Sequence, residues 1–436
     1  MRSINFTVIS MRFIKHIFLW GLGMAGIMPA FAQHTYTLDA CIHEALVNNT
    51  RIKNADNDLA AARHGQQEAF TRFFPSFNAF GMGFMADKGL LEMEMMPGER
   101  LSMMKNGIVG GVTAAVPLFT GGQIVNGNKL AAVNVEVNRL KRRQSENEVR
   151  LTAEQYFWQI VMLKEKLRTL SIVGEQLSAI HKDVDAAVQA GVTNRNDLLQ
   201  VQLRENETRS TRIQVENALS VSMSLLAQYM GHPSDSVDVD MVLTDSLPEH
   251  PGELYVLPES SLPSTNEYNL LQQNVKAARL QHKISIGKNL PVLSVGGGYV
   301  YDNLMDKDCS FWVGFATVSV PLSGWWGGSH DIKKQQLQVC NAENQFTDQS
   351  QLLVIRMNNA WNGLTDAYKQ VEIVMESIGQ ASENLRLQTD YYRAGTCTMS
   401  DLLEAQTLFQ QSRDKYVDSY AQYEVKKREY LQATGR

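Results

Sequence analysis

The sequence predicts a mainly α-helical, internally duplicated fold with two long helical hairpins and four short β-strands. An Ala-Gly pair followed by Asp-Leu-Leu occurs at 190–199 and returns at 394–403, an offset of 204 residues. Each copy ends a long stretch without proline, and two strand-like runs precede each stretch. The same elements repeated at one offset indicate duplication of a single helix–strand–strand–helix–turn–helix unit.

The offset also holds at other landmarks. Val-Pro-Leu at 116–118 returns at 320–322, and Gly231 returns as Gly435. Agreement at several separated positions requires no insertion between the second strand and the end of each unit. We therefore predict a division of the chain into the following parts: a signal peptide at 1–32, a first repeat at 33–230, a Pro-rich segment at 231–265 and a second repeat at 266–436.

The first repeat opens with a helix and a β-hairpin. Apolar residues recur at helical spacing from Leu38 onward until Pro75 ends the pattern. Two strand-like runs then form a predicted hairpin over 76–118, and Pro117 is expected to end the second strand. The segment at 87–106 between these strands is polar and irregular, which predicts a loop.

The rest of the first repeat is a helical hairpin. Residues 123–189 contain no proline, so they predict a helix of roughly 100 Å at about 1.5 Å per residue. Gly191 can adopt a positive φ and end this helix. Asn194 and Asp197 have the spacing of a capping box, with Asp in place of Glu. A turn at 190–196 therefore leads into a returning helix.

The second repeat gives the same order of elements. Thr398 and Asp401 stand where a capping box would begin its last helix. Five of the eleven prolines fall in the preceding segment at 231–265, which predicts an extended linker or a small irregular subdomain. The predicted elements are a helix at 266–289, a β-hairpin at 292–322, a turn at 323–328, a helix at 330–393, a turn at 394–400 and a helix at 400–433.

The first 32 residues are typical of a secretory signal peptide. A basic start precedes an apolar run, and Ala30-Phe31-Ala32 provides small residues for cleavage before Gln33. Without this segment the net charge is about −8, which argues against a protein that coats nucleic acid. The four cysteines share no close spacing, so neither a disulfide framework nor a zinc site is indicated.

The strands alternate with period 2. In the second strand of each half one set of positions is largely aliphatic and the other is smaller or more polar. This pattern fits a membrane-crossing strand and equally a half-buried hairpin of a soluble protein. Four strands cannot close a barrel with a useful pore, whereas twelve from three chains can. Aromatic residues at the strand–helix borders fit either a membrane-interface belt or core packing: Phe119, Trp325 and Trp326.

The last helix carries large residues at an unbroken spacing of seven, which predicts a coiled-coil seam. They are Leu402, Phe409, Tyr416, Tyr423 and Tyr430.

We find no motif that predicts catalysis or a cofactor. The chain lacks a P-loop, an HExxH pair and a GxSxG elbow. Seven methionines lie between Met82 and Met104, which fits a soft-metal site or, more commonly, a flexible apolar surface. We therefore predict no catalytic residue, no metal ligand and no cofactor.

The ordered set of motifs resembles the TolC-like family of outer-membrane efflux proteins. The residues that carry the resemblance are Leu38-Asp39-Ala40-Cys41-Ile42-His43-Glu44-Ala45-Leu46 near the start, the two Val-Pro-Leu strand ends and the two Ala-Gly…Asp-Leu-Leu turns. The resemblance implies a homotrimer with a twelve-stranded membrane β-barrel and a periplasmic α-helical tunnel. It further implies a passive exit duct for small molecules or proteins, located in the outer membrane.

The resemblance also implies partners and a gate. The tunnel tip would contact a periplasmic adaptor (membrane fusion) protein through the turns at Gly191 and Gly395, and the adaptor would link it to an inner-membrane pump of RND or ABC type. The residues implied at the gate are Asp197, Asp401, Glu404, Tyr392, Cys397 and Arg195. Cys397 stands where the family pattern has an arginine that helps to lock the tip, so the lock of the closed state must differ or be weaker. The alternative is a periplasmic coiled-coil adaptor or scaffold without a pore.

Overall fold

The computed structural model describes residues 34–89, 91–96, 99–233, 237–304, 307–322 and 324–436, and for 91–96, 99–103 and 325 it gives the backbone alone. The predicted signal peptide at 1–32 lies outside the described residues. The α-helices of the described chain are α1 (Leu38–Asn48), α2 (Thr50–Thr71), α3 (Gln123–Gln189), α4 (Arg195–Tyr229), α5 (Pro258–Ser261), α6 (Asn266–Lys288), α7 (Gly324–Arg393) and α8 (Met399–Ala433). None of them is both long and apolar enough to span a membrane.

The strands form one four-stranded sheet and two short pairs. The four-stranded sheet is antiparallel throughout, in the order β2-β5-β7-β8. A separate hairpin joins β3 to β4, and β1 pairs in parallel with β6. The strands are β1 (His34–Tyr36), β2 (Ser76–Met85), β3 (Leu91–Met96), β4 (Glu99–Met103), β5 (Asn106–Thr120), β6 (Val237–Val239), β7 (Val292–Asp302) and β8 (Cys309–Ser319).

Contacts divide the described chain into two compact units. One consists of residues 34–45 with 153–244, and the other of 46–152 with 245–436. Helix α3 belongs to both, because its 67 residues continue without a break from one unit into the other. These boundaries differ from those of the predicted repeats, which follow sequence order; the division into repeats stays a prediction.

The smaller unit is held together by α3 and α4 and by the β1–β6 pair. The buried residues of α4, such as Val201 and Leu226, lie on one face of the helix, as expected for a helix that packs on one side. Lys164 of α3 binds the β6 region, with Nζ 2.7 Å from Asp238 Oδ1 and 2.9 Å from the Val239 carbonyl oxygen. A lysine between a carboxylate and a carbonyl fixes the short strand to the helix.

The larger unit contains the sheet and the helices α2, α6, α7 and α8. Helix α8 packs along α7, and α6 packs along α7 near the sheet. The turn before α3 crosses the end of α6 closely, since a Cβ added at Gly287 would lie 2.5 Å from the Gly121 carbonyl oxygen. Gly121 has a φ of +61°, so this crossing needs glycine for its backbone angle as well as for space.

Three tyrosines of α8, spaced seven residues apart and called the tyrosine row below, do more than form a helical seam. Tyr416, Tyr423 and Tyr430 are each about 1% exposed. Their hydroxyls bind the backbone of the Pro-rich segment: Tyr416 donates to Ser246 (3.0 Å) and accepts from its amide (3.2 Å), Tyr423 donates to Glu249 (2.5 Å), and Tyr430 accepts from the Val256 amide (3.0 Å). Residues 246–256 of the segment are therefore held against α8, and short helical turns occur at Pro251–Leu254, Pro258–Ser261 and Leu262–Ser264.

Several local predictions were wrong. The predicted loop at 87–106 contains the β3–β4 hairpin. Strand β5 continues beyond Pro117 to Thr120, because a register shift between Pro117 and Phe119 accommodates the missing amide donor. Of the predicted turn at 323–328, residue 323 lies outside the described residues and 324–328 are the first part of α7, so Gly327 and Gly328 are helical. Strand β8 ends at Ser319, before the predicted end at 322.

Candidate functional site

The first candidate site is the turn between α3 and α4, in the smaller unit. The Gly191 amide donates to the Val188 carbonyl (3.0 Å) and the Val192 amide to the Ala187 carbonyl (2.9 Å), a Schellman arrangement in which Gly191 has a φ of +72°. Asn194 then caps α4, since its side chain accepts from the Asp197 amide at 3.2 Å. The chain reverses direction here within a few residues.

The Asp197 carboxylate does not complete the predicted capping box. It accepts instead from the Thr193 hydroxyl, at 2.5 Å. Asp197 is half-buried in this position, and Arg195 beside it is exposed. Arg195 forms no ion pair with another described residue. The first turn therefore presents an unpaired cation next to a carboxylate that a hydroxyl group holds in place.

The second candidate site is the turn between α7 and α8, in the larger unit. Gly395 has a φ of +71°, and the same Schellman bonds run from Gly395 to Tyr392 (3.0 Å) and from Thr396 to Tyr391 (2.9 Å). The predicted capping box at Thr398 and Asp401 is present here. Asp401 Oδ2 accepts from the Thr398 amide at 2.9 Å, and Thr398 Oγ1 accepts from the Asp401 amide at 3.2 Å.

The second turn has an electrostatic arrangement of its own. Hydrogen bonds from the Thr398 hydroxyl and amide lower the pKa of Asp401, because they favour the ionised carboxylate. Cys397 is half-buried, and its thiol donates to the Gln388 carbonyl at 3.4 Å. Burial and the neighbouring Asp401 charge raise the pKa of the Cys397 thiol, so it remains a neutral thiol.

The other predicted residues of the second turn lie close to this capping box in sequence. Tyr392 lies half-buried in the last turn of α7, and Glu404 is exposed one turn into α8. Arg393 is the basic residue closest in sequence to Cys397, which occupies the position of the family arginine. Its side chain is exposed. Sequence reasoning missed Arg386, whose guanidinium binds Glu383 (2.7 Å) and Asp390 (3.0 Å) on α7. Its i,i+3 and i,i+4 spacing was the available signal.

The four-stranded sheet is the third candidate site, and its two faces differ. The register places Val112, Tyr299 and Trp312 side by side, with 5.1 Å between the rings of Tyr299 and Trp312. This aromatic face carries further exposed apolar side chains, among them Phe77 and Val318. The opposite face, which we call the small-residue face, contains many small or polar residues together with four phenylalanines: Asn78, Thr113, Ser294, Gly296, Gly298, Thr317, Phe80, Phe84, Phe311 and Phe315.

The predicted border aromatics lie where the sheet meets the helices. After the register shift, Phe119 pairs with Leu293 and is half exposed, on the aromatic face. Trp326 lies in the first turn of α7 and is 72% exposed, and Trp325 precedes it. Exposed aromatic side chains at such a border are unusual for a soluble core and typical of a membrane interface.

The described residues contain no group of three or more His, Cys, Asp or Glu side chains that could hold a metal ion. The four cysteines are free thiols. For the methionines predicted to form a soft-metal or flexible surface, only part of the segment has described side chains, and Met82 and Met85 are strongly exposed there.

Comparison with solved structures identifies the fold. A crystal structure of CusC matches with a TM-score of 0.79 at 15% identity, over 93% of this chain and 96% of that one. The CmeC outer membrane channel of Campylobacter jejuni matches with a TM-score of 0.79 at 14% identity, over 91% and 85%. The open state of the MtrE outer membrane channel of Neisseria gonorrhoeae matches with a TM-score of 0.75 at 14% identity, over 91% and 88%.

Comparison by sequence identifies the family. No curated protein matches the chain in a direct sequence search. The family model described as outer membrane efflux protein matches residues 41–232 and 269–436, which is most of the chain. The predicted mainly α-helical fold with long helical hairpins is confirmed, and the four predicted strands form the four-stranded sheet, beside which the described residues contain four further short strands. The comparisons give no support to the alternative of a poreless adaptor. The chain belongs to the outer membrane efflux protein family and acts as an efflux channel of the outer membrane.

Proposed function

We propose that three copies of the chain close a twelve-stranded barrel and form the passive exit duct of a tripartite efflux or secretion system. The observation that carries the proposal is the sheet. Within the described residues β2 and β8 each pair along one side only, so the sheet ends in two open edges of 10 and 11 residues. Long open edges invite pairing with another chain, and joining β8 of one copy to β2 of the next removes all of them.

The two faces of the sheet support a membrane location for this barrel. Strands of 10 to 15 residues are long enough to cross the hydrocarbon core when tilted. The aromatic face exposes Val112, Trp312 and Val318 to the outside of the sheet. Apolar side chains facing lipid and smaller or polar ones facing a water-filled lumen are the arrangement of an outer-membrane barrel.

The helices support a periplasmic tunnel that ends in a gate. Helices α3 and α7 have 67 and 70 residues, each roughly 100 Å long at about 1.5 Å per residue. The turns at Gly191 and Gly395 follow the C-terminal ends of these helices. In our proposal Asp197, Asp401 and Glu404 line the entrance, with Tyr392, Cys397 and Arg195 beside them. The open state of MtrE supports the existence of a gate in channels of this fold.

The proposal assigns partners by position. The turns contact a periplasmic adaptor, and the adaptor connects the duct to an inner-membrane pump of RND or ABC type that delivers small molecules or proteins. Carboxylates at a narrow entrance attract cations and bind multivalent cations most strongly.

The barrel is tested by a matched pair of substitutions on β8. Ala316 and Thr317 are adjacent and exposed, and the register places them on opposite faces of the sheet. Arginine on a lipid-facing position costs about 2–4 kcal/mol near the bilayer midplane and much less on a lumen face. We expect Ala316→Arg to reduce the amount of heat-resistant trimer in outer-membrane fractions, and Thr317→Arg to leave it nearly unchanged. Equal effects of the two variants contradict the assignment of the faces.

The gate is tested by separating charge from capping. The double variant Asp197→Asn with Asp401→Asn removes two carboxylate charges per copy. Thr398→Ala removes only the hydroxyl of the cap and leaves both the Asp401 charge and the Thr398 amide that holds it. We expect the double variant to weaken block of single-channel current by multivalent cations, and Thr398→Ala to retain it. If cation block is the same in wild type and the double variant, these carboxylates do not line the entrance.

A further inference from the structure

A large cavity lies in the wall of the larger unit, at the helix end of the sheet. It has a volume of about 950 Å³ and is lined by the end of α2, the start of α3 and the end of α6. Its apolar lining includes Ile124, Val133 and Ile284, of which Val133 is buried. A cavity of this volume is large enough for a small organic molecule.

Two cations border the same cavity. Arg72 follows α2, Lys288 ends α6, and both are exposed. No ion pair joins either of them to another described residue, whereas other arginines of the unit, such as Arg142 and Arg279, are paired with carboxylates. Glu68 also lines the cavity, so the charge of the lining is net positive. Unpaired cations beside an apolar surface favour an anionic amphiphile.

Two helical glycines keep the cavity open. Gly65 in α2 and Gly127 in α3 both line it, and a Cβ added at either would meet no atom within 4 Å. Neither has a positive φ. Glycine inside a helix costs about 1 kcal/mol relative to alanine. Neither space nor backbone angle requires glycine here, so these residues maintain empty volume at some cost in helix stability.

The cavity opens on the small-residue face of the sheet. Thr120 and Val292, which are register partners, form its border with the strands. Along β7 the side chains alternate without interruption, so Val292 shares its face with Ser294, whereas Leu293 shares the aromatic face with Tyr299. In the barrel proposed above, which this step assumes, the small-residue face is the lumen.

We propose that this cavity is a binding site for anionic amphiphilic small molecules in the wall of the duct. Arg72 and Lys288 bind the sulfonate or carboxylate group, and the apolar body lies against Ile124, Val133 and Ile284. The site selects by charge sign at the junction of barrel and helices, in addition to any selection by the carboxylates at the entrance. The residues to which we assign binding all belong to one chain, so the proposed site uses no side chain of a neighbouring copy.

The test is calorimetric titration of the protein in lipid nanodiscs with naphthalene-1-sulfonate, with empty nanodiscs as the blank. The matched cation 1-naphthylmethylammonium has a similar aromatic body and the opposite charge. We expect the sulfonate to bind at least about tenfold more tightly than the ammonium. Arg72→Gln and Lys288→Gln should each weaken sulfonate binding about three- to tenfold, and Glu68→Gln should strengthen it.

Filling the cavity provides a second, independent measurement. Gly65→Leu and Gly127→Leu place a side chain in the empty volume, and we expect each to weaken sulfonate binding about tenfold. Gly379→Leu is the matched control, because Gly379 is also helical with nothing within 4 Å of an added Cβ and does not line this cavity. The control should bind as wild type does.

Three outcomes overturn the proposal: equal affinity for the two probes, no effect of the Gly65 and Gly127 variants, or loss of trimer in those variants by native mass spectrometry. The last outcome means that a neighbouring copy fills the cavity. Failure of the proposed assembly is distinguishable, because wild-type protein would then give no trimer while its single-chain site still binds the sulfonate.

Discussion

The tyrosine row of α8 makes a prediction that can be followed at single amides. The Val256 amide donates to Tyr430 and the Ser246 amide donates to Tyr416. Tyr430→Phe removes the acceptor at Val256 and keeps the buried ring. A hydrogen bond of this kind contributes about 0.5–1.5 kcal/mol net, which corresponds to roughly a two- to twelvefold change in a local opening equilibrium.

The assay is amide hydrogen exchange of the Pro-rich segment, measured by mass spectrometry on overlapping peptides. We expect Tyr430→Phe to accelerate exchange at Val256 by that factor and to leave Ser246 unchanged. Tyr423→Phe is the matched control. The Tyr423 hydroxyl donates to the Glu249 carbonyl, so its bond to the segment protects no amide from exchange. Burial and nearby Glu424 raise the pKa of Tyr423, so its hydroxyl remains a donor at neutral pH.

A triple variant in which Tyr416, Tyr423 and Tyr430 are all replaced by Phe tests whether the free energies of their hydrogen bonds add. Tyrosines seven residues apart lie about 10 Å from one another along the helix, far enough for nearly additive effects. Tyr416 contributes two bonds and the others one each. For four bonds we predict that the triple Phe variant loses about 2–6 kcal/mol of the free energy that holds the segment to α8. We expect the lower end of this range, because Ser246 is exposed and water can replace its hydrogen-bond partner. Unchanged exchange at both Val256 and Ser246 in the triple variant would refute the reasoning.

Three further predictions concern single residues. Gly287→Ala should destabilise the protein by about 1–3 kcal/mol in thermal unfolding, because its Cβ meets a backbone oxygen, whereas Gly65→Ala should stabilise by about 0.5–1 kcal/mol. The pKa of Asp401 is lowered in the folded chain. The ionised carboxylate therefore contributes fully to the free energy of unfolding above the ordinary carboxyl pKa, and this contribution is lost as pH falls through the lowered pKa. The stability difference between wild type and Asp401→Asn should shrink correspondingly, and a constant difference down to strongly acidic pH contradicts this. Iodoacetamide should alkylate Cys397 slowly at pH 8 and faster in Asp401→Asn, since the Asp401 charge disfavours the thiolate; equal rates exclude that influence.

The long helices could be predicted because their signals are local. Residues 123–189 contain no proline, and the structure has α3 with the same bounds. Gly191 and Gly395 end their helices with positive φ, as their positions indicated. The start of the helix Gly324–Arg393 was harder to predict, because Gly327 and Gly328 resemble a turn in sequence. Glycine is conformationally permissive, so its presence in a sequence does not exclude a helix.

Other features depended on distant residues and could not be predicted locally. Strand β5 passes Pro117 because β7 pairs on both sides of the register shift. The hydroxyls of the α8 tyrosines find partners in a segment about 170 residues earlier, as the 170 and 174 residue separations show. The heptad spacing indicated that these side chains are buried. It carried no information about which backbone groups would bind their hydroxyls. The cavity beside Arg72 likewise requires three helices that only the fold brings together.

The two turns differ in how they hold the carboxylate, although they occupy matching positions in the two predicted repeats. Position by position, Thr193 corresponds to Cys397 and Asp197 to Asp401. In the first turn the hydroxyl of Thr193 binds the carboxylate; in the second, Thr398 binds it, and the Cys397 thiol donates to the Gln388 carbonyl instead. Both arrangements immobilise the carboxylate while leaving different groups beside it. If the turns form the gate, substitution of Thr193 should affect the position of Asp197, whereas Cys397→Ser should leave Asp401 in its cap. Cation block that changes in Thr193→Val and persists in Cys397→Ser would support this division of roles, and the reverse result would contradict it.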